Sequence, residues 1–271
     1  MRSHAALRAG AAGLLALAFA APAAADWKTV DDEDWCREGG GKWSSRRYCE
    51  IRETEIPAGR DVITVDGHRN GGIEVKGWDE DKILIRAKVT VWEDDDEDAR
   101  EMVEDIRIDT DDVIRADGPG SRDGRGWSVD YRILVPFNSD LDLESRNGGL
   151  SVVDVSGTID LETTNGGISL VNLNGEVTGL TTNGGVSVVL NGDGWDGEGL
   201  DVESRNGGIS IEVPHDYSAD LMAGTKNGGI RSDLRVRRQG YTGGTVRATL
   251  GEGGPLLRVM TRNGGIRIEE T

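Results

Sequence analysis

The stretch TTNGGISL, residues 163–170, returns as TTNGGVSV at residues 181–188. SRNGGLSV (145–152), SRNGGISI (204–211), TKNGGIRS (225–232) and TRNGGIRI (261–268) are variants of the same eight residues. Corners of this kind begin at Asn70, Asn147, Asn165, Asn183, Asn206, Asn227 and Asn263, which sets a unit of about eighteen residues with insertions. The last gap, 36 residues, reads as two such units. A fixed period of this length is the mark of a repeat architecture.

Side-chain parity follows from reading outward from each Asn. Before it, at every second position, come Ser145, Leu143 and Leu141, then Thr163, Leu161 and Ile159, then Ser204, Val202 and Leu200. After it come Leu150 and Val152, Ile168 and Leu170, Val186 and Val188, Ile209 and Ile211. Alternation with period two means that each corner joins two half-buried strands. Asp142, Glu144, Asp160 and Glu162 fall on the outward parity, and the Asn falls on the inward one.

Two architectures fit. Asn-Gly is the preferred type I′ hairpin turn, which allows an antiparallel meander. Alternatively, each unit is one coil of a parallel β-solenoid whose corner amides stack at ~4.8 Å. The solenoid also explains the constant offset of Ser or Thr, and it is the favoured reading: an all-β parallel β-solenoid (β-helix) of two-strand repeats, with Asn147, Asn165, Asn183, Asn206, Asn227 and Asn263 as a buried structural ladder. Insertions at 191–199, 214–220 and Arg235–Thr245 all follow the second strand, at the opposite corner. Around Asn70 the apolar residues Ile63 and Val65 are one position out of phase and His68 holds the Ser/Thr place, so a β-bulge is expected there.

Residues 51–140 read as irregular β-structure, and 141–271 as the regular repeats. Within the former, Ala99, Met102, Val103 and Ile106 have the i, i+3, i+4, i+7 spacing of one short helix near 95–106. Asp94 to Asp98 suit its N-terminus. The disulfide segment is expected to cover one end of the stack and the charges of IRIEET to blunt the other.

Residues 1–25 carry Arg2 and Arg8, a short apolar run and Ala23-Ala24-Ala25, the pattern of a secretory signal peptide. An exported chain is therefore expected, in the periplasm or at the cell surface, with no later apolar run long enough to span a bilayer. In that setting Cys36 and Cys49, in a separate segment 26–50, are read as one disulfide worth roughly 3 kcal/mol. The chain carries 49 acidic and 31 basic residues, a net charge of -18, which repels a phosphate backbone and excludes nucleic acid as a partner.

No nucleophile elbow, P-loop or zinc helix motif occurs. His68 and His215 have no ligand-spaced companions, and no cofactor is expected. The acidic runs at 31–35 and 93–100 lack a calcium-loop frame and read as solvated charge, with weak Ca²⁺ binding as the alternative. Trp195, in a glycine-rich insertion, and His215 and Tyr217, in the PHDY insertion, are the candidates for ligand contact.

The ladder SRNGGLSVVDVSGTIDLETTNGGISLVNLNGEVTGLTTNGGVSV, the later PHDYSADLMAGTKNGGIRSD and the closing GGPLLRVMTRNGGIRIEE resemble the bacterial putative-adhesin family of exported β-strand-repeat proteins, a domain of unknown function. The resemblance covers roughly residues 55–271 and leaves the cysteine segment outside. It implies a right-handed solenoid in the cell envelope and supplies no catalytic residues. The function expected is a non-enzymatic adhesin, or an envelope binding or scaffold protein, engaging a protein or glycan. The competing class is a β-helical enzyme acting on polysaccharide through paired carboxylates.

Overall fold

The level pairing of Ile168 with Leu150 on one side and Val186 on the other decides between meander and solenoid. Both pairings are parallel, as a stack of coils requires. The structure is a computed structural model. It describes residues 25–38, 47–121, 124–234, 238–242 and 244–271. The expected leader, apart from Ala25, lies outside the described residues, as do Trp43 and part of the 235–245 insertion.

In chain order the elements begin with β1 (Lys28–Val30), α1 (Glu33–Arg37) and β2 (Arg47–Pro57). Next come β3 (Ile63–Asp66), β4 (Ile73–Trp78), β5 (Lys82–Trp92), α2 (Asp96–Asp105), β6 (Arg107–Asp109), β7 (Val113–Asp117) and β8 (Gly126–Pro136). The regular coils are β9 (Leu141–Ser145) with β10 (Leu150–Val153), β11 (Ser156–Thr163) with β12 (Ile168–Val171), and β13 (Asn174–Asn183) with β14 (Val186–Val189). They continue through β15 (Gly199–Asn206) with β16 (Ile209–Val213), and β17 (Ala219–Asn227) with β18 (Ile230–Ser232). A hairpin, β19 (Arg238–Thr242) and β20 (Thr245–Leu250), precedes the closing pair β21 (Leu256–Asn263) and β22 (Ile266–Glu270).

The strands form two 11-stranded sheets. The first strand of each coil lies in one sheet and the second in the other, and the apolar parity of both points between them. Leu143, Leu161, Val202 and Val259 from one sheet, and Val152, Leu170, Val188 and Ile211 from the other, are almost wholly excluded from solvent. Gly179, where the repeat calls for Leu, has its space taken by Val202 and Ile168.

Stacking order departs from chain order at both ends. The first coil, β3 with β4, lies between β7/β8 and β9/β10. The last coil, β21 with β22, lies between β15/β16 and β17/β18. IRIEE is therefore an internal strand, not the blunted end that its charges imply. Among the described residues between Asn227 and Asn263 there is no further coil of the regular kind. They carry β18 and the hairpin, whose β20 pairs antiparallel with β17. Sheet edges are short instead: β1, β6 and β18 have three residues each and β19 five, which leaves little free backbone for another chain to pair with.

The Asn column exists, but it is not buried. Asn147 Nδ2 donates to Asn70 Oδ1, and Asn165, Asn183, Asn206, Asn263 and Asn227 continue the chain at 2.7–3.0 Å. All lie open to solvent because the corner has already turned outward by the third residue. The buried column is the Ser/Thr two residues earlier. Thr163 Oγ1 donates to Gly148 O, Thr181 Oγ1 to Gly166 O and Ser204 Oγ to Gly184 O, at 2.7–2.9 Å. Such contact requires bare backbone on the corner: a Cβ on Gly166 would stand 1.9 Å from Gly148 O. At the first corner the extra residue is absorbed in the turn, where His68 takes φ 54° and Gly67, not His68, stands near Ser145.

The N-terminal region differs from expectation in two ways. First, β2 runs unbroken across residues 50 and 51 and pairs along its length with β5, so the cysteine segment and the sheet form one unit. Second, the acidic run at 31–35 starts a second helix, α1, because Asp32 accepts the Trp35 N–H at 3.0 Å as its N-cap. The Cys36–Cys49 disulfide, with Cα atoms 5.9 Å apart, ties that helix to β2. The predicted helix is α2, capped by Asp95, with Ala99 and Val103 buried. Arg52 donates to the Val103 and Ile106 carbonyls at 2.8 and 2.6 Å, satisfying groups that a helix end leaves open.

Candidate functional site

The outward residues of the second strands also form columns. Ser151, Ser169, Ser187 and Ser210 stand level in parallel register, with Glu74 before them and Arg267 and Arg231 after. Adjacent strands are ~4.8 Å apart, so hydroxyls recur at that spacing along the stack. Beside them runs the second glycine of each corner, whose missing side chain leaves a trough. At Gly167 a Cβ would stand 3.2 Å from Gly185 O.

Trough and serine row together form a groove of about 1230 Å³. Trp35 of α1 and Glu38, the residue that follows the helix, close one end, and Arg231 and Arg267 stand at the other. The side chains of Leu150, Ile168 and Val186 point inward and are 1–2% exposed, so between the hydroxyls the groove floor is the bare backbone of the corner glycines Gly149, Gly167 and Gly185.

Charge in the groove is mostly paired. Arg132 reaches Glu74 at 3.2 Å and Glu38 at 2.5 Å, and its guanidinium lies 4.3 Å from the centroid of the Trp35 ring. Lys88 reaches Asp130 at 3.3 Å, and Arg267 reaches Glu269 at 2.6 Å. The Trp35 backbone N–H, with Arg86 adding to it, holds the Asp32 carboxyl below its usual range. Unlike the groove face, the opposite sheet is acidic: Asp142, Glu144, Asp160, Glu162, Asp201 and Glu203 all point outward from it.

Two of the residues expected to meet a ligand are interior. Trp195 is 6% exposed, with its indole N–H donating to Gly175 O at 3.0 Å. Its insertion folds back over the opposite corner, so the indole closes that corner instead of projecting from it. Tyr217 is 2% exposed, and burial pushes its hydroxyl up to about 12, with the Asp193 carboxylate adding to the effect. His215 is exposed and meets Glu270 Oε1 at 2.8 Å, with no nucleophile bonded to it. Among the described residues no cluster of three His, Cys, Asp or Glu could hold a metal ion, and no helix is long and apolar enough to cross a membrane.

Sequence reasoning passed over the serine row. Its signal was present: Ser stands at the same place after the glycines in NGGLS, NGGIS and NGGVS. Trp35 at the groove's end had no such signal, because its position depends on the disulfide and on strands distant in sequence.

A family model described as Toastrack DUF4097 matches residues 64–269. No curated protein matches the chain. Among solved structures, one described as a putative cell adhesion protein from Clostridium sporogenes is 13% identical, with a TM-score of 0.45 over 84% of this chain and 100% of its own. One described as a putative adhesin from Bacteroides fragilis is 10% identical, with a TM-score of 0.37 over 82% of this chain and 97% of its own.

Proposed function

The chain belongs to the Toastrack DUF4097 family, and from that premise we propose that it is an exported, non-enzymatic binding module of the cell envelope, adhesin-like in role, whose serine groove holds an extended neutral glycan. The observation that carries this reading is the groove itself, a continuous row of hydroxyls beside a glycine trough across successive coils.

Its chemistry favours a sugar chain over the alternatives. The backbone groups of β4, β10, β12, β14, β16 and β22 are committed to ladders on both sides, and β18 at the edge has only three residues, so an added peptide strand has little to pair with. Most ions within the groove already have partners, which weakens the drive to bind a charged polymer. A sugar ring presents hydroxyls at its rim and C–H groups on its faces, matching the serine hydroxyls beside the bare backbone of Gly149, Gly167 and Gly185. The leader-like residues 1–25 support export.

The test is to present the mature protein to a panel of neutral and acidic polysaccharides, reading binding and release of reducing ends together. Saturable binding of a neutral glycan without release is expected. Turnover abolished by a single Asp or Glu substitution would replace this reading with the enzymatic one.

A further inference from the structure

The chain holds nine Asn-Gly pairs, beginning at Asn70, Asn147, Asn165, Asn174, Asn183, Asn191, Asn206, Asn227 and Asn263. Asn-Gly is the dipeptide most open to loss of the side-chain amide, because the glycine nitrogen can close on Cγ with no neighbouring side chain in the way. The fold treats the nine unequally. Closure requires a carboxamide free to turn, a glycine N–H not held elsewhere, and the nitrogen already beside the carbonyl group.

Eight pairs fail at least one of these conditions. Gly184, Gly207 and Gly264 donate their N–H groups to the backbone oxygens of Asn206, Asn263 and Asn227 at 3.1 Å, which holds back Asn183, Asn206 and Asn263. Gly175 donates to Asp196 O at 2.7 Å, and Asn174 Oδ1 accepts the Asp196 N–H at 3.1 Å. The carboxamides of Asn147 and Asn165 are held from both sides, each donating to one neighbour in the column and accepting from the other. Gly71, after Asn70, is buried, with Val129 O 2.2 Å from the place of a Cβ. Asn227, at the free end of the column, still donates Nδ2 to Asn263 Oδ1 at 2.7 Å.

Asn191 meets all three conditions. It opens the insertion at 191–199, outside the column, and both Asn191 and Gly192 are exposed. The Gly192 N–H points at Asn191's own Oδ1, 2.9 Å away, so the attacking nitrogen already lies against the carboxamide. No other residue among those described bonds to that side chain. Gly192 has φ 79°, and nothing lies within 4 Å of the place of a Cβ, so ring closure meets no obstruction.

We propose that Asn191 is a site of spontaneous hydrolytic modification, converted to isoaspartate and aspartate ahead of every other Asn-Gly pair in the folded protein. Hydroxide takes the Gly192 amide proton, the nitrogen bonds to Asn191 Cγ, and the Cγ–Nδ2 bond breaks with release of ammonia. Water then opens the resulting succinimide at either carbonyl, so that one water is consumed for each ammonia released. The isoaspartate product adds a methylene to the main chain just before Asp193, whose carbonyl accepts the Ser218 N–H at 2.8 Å. This site lies outside the groove and does not depend on its ligand.

The test incubates the purified protein in warm, mildly alkaline buffer and follows every Asn-Gly pair by peptide mapping with mass spectrometry. Asn191 should convert first, roughly tenfold or more faster than any Asn of the column, with isoaspartate among its products. In urea, where the fold no longer sets exposure or N–H bonding, the nine pairs should convert at similar rates. Asn191→Ser should remove the early phase of ammonia release and leave the column as slow as in wild type. The proposal is overturned if Asn191 stays intact, or if Asn174, Asn227 or another column Asn converts as fast in the folded protein. The same ordering in urea would overturn it equally, because the selectivity would then belong to local sequence and not to the fold.

Discussion

The side-chain amide of Asn183 donates to Oδ1 of Asn165 at 2.8 Å, one coil away, and both groups lie open to solvent. Two residues earlier, Thr181 is wholly buried and its hydroxyl donates to Gly166 O at 2.7 Å. The exposed bond competes with water and the buried one does not. Asn183→Ala should therefore cost only about 0.5–1 kcal/mol, and Thr181→Val about 1–3 kcal/mol, the range for stranding a buried carbonyl. Urea midpoints at constant slope measure both, and a larger loss in Asn183→Ala would return the stabilising role to the amides.

The corner's first glycine should tolerate nothing larger. Gly166→Ala places a Cβ 1.9 Å from Gly148 O, a backbone atom that cannot give way without parting two coils. A loss of about 2–3 kcal/mol or more is expected. At Gly59 an added Cβ would meet nothing within 4 Å, so Gly59→Ala should be neutral or stabilise by up to about 1 kcal/mol. Thermal melts of the two variants check the contrast.

Opening the disulfide should act on the groove as well as on stability. Replacing Cys36 and Cys49 by Ser is expected to cost about 3 kcal/mol in the chain-entropy model. It also frees α1, which carries Trp35 to the groove's closed end. Glycan affinity should fall in a temperature range where circular dichroism still shows a folded sheet.

Alkaline pH should destabilise the fold through its buried phenols. Burial pushes Tyr217 up to about 12, with Asp193 adding, and burial raises Tyr131 as well, with Asp66 adding. Unfolded tyrosine titrates near 10. Above that pH the unfolded chain has released protons that the folded state still holds. The phenols' contribution is therefore intact below about pH 10 and is lost as pH rises to about 12. Denaturation midpoints across that window should fall less steeply in Tyr217→Phe.

The repeat was legible because one side chain in two must avoid water at every coil, so period and parity are written at each position. Coil order was not legible. Asn206 can stack on Asn227 or on Asn263 with the same amide chemistry, and only distant strands decide that Asn263 takes the place. Trp195 and Tyr217 were misplaced for a related reason: polar, glycine-rich neighbours describe a loop's composition and not the direction in which it folds back. Tyr131 carried a readable anomaly, an aromatic in an aliphatic column, but the column itself emerges only from the register of β8 with β4.

The most direct test is to compare glycan affinity between a groove-filled variant, Ser169→Trp with Ser187→Trp, and an opposite-face variant, Glu162→Ser with Glu203→Ser. Binding through the serine groove requires at least a tenfold loss in the first and wild-type affinity in the second. Unchanged affinity in the first, or a comparable loss in the second, would contradict it.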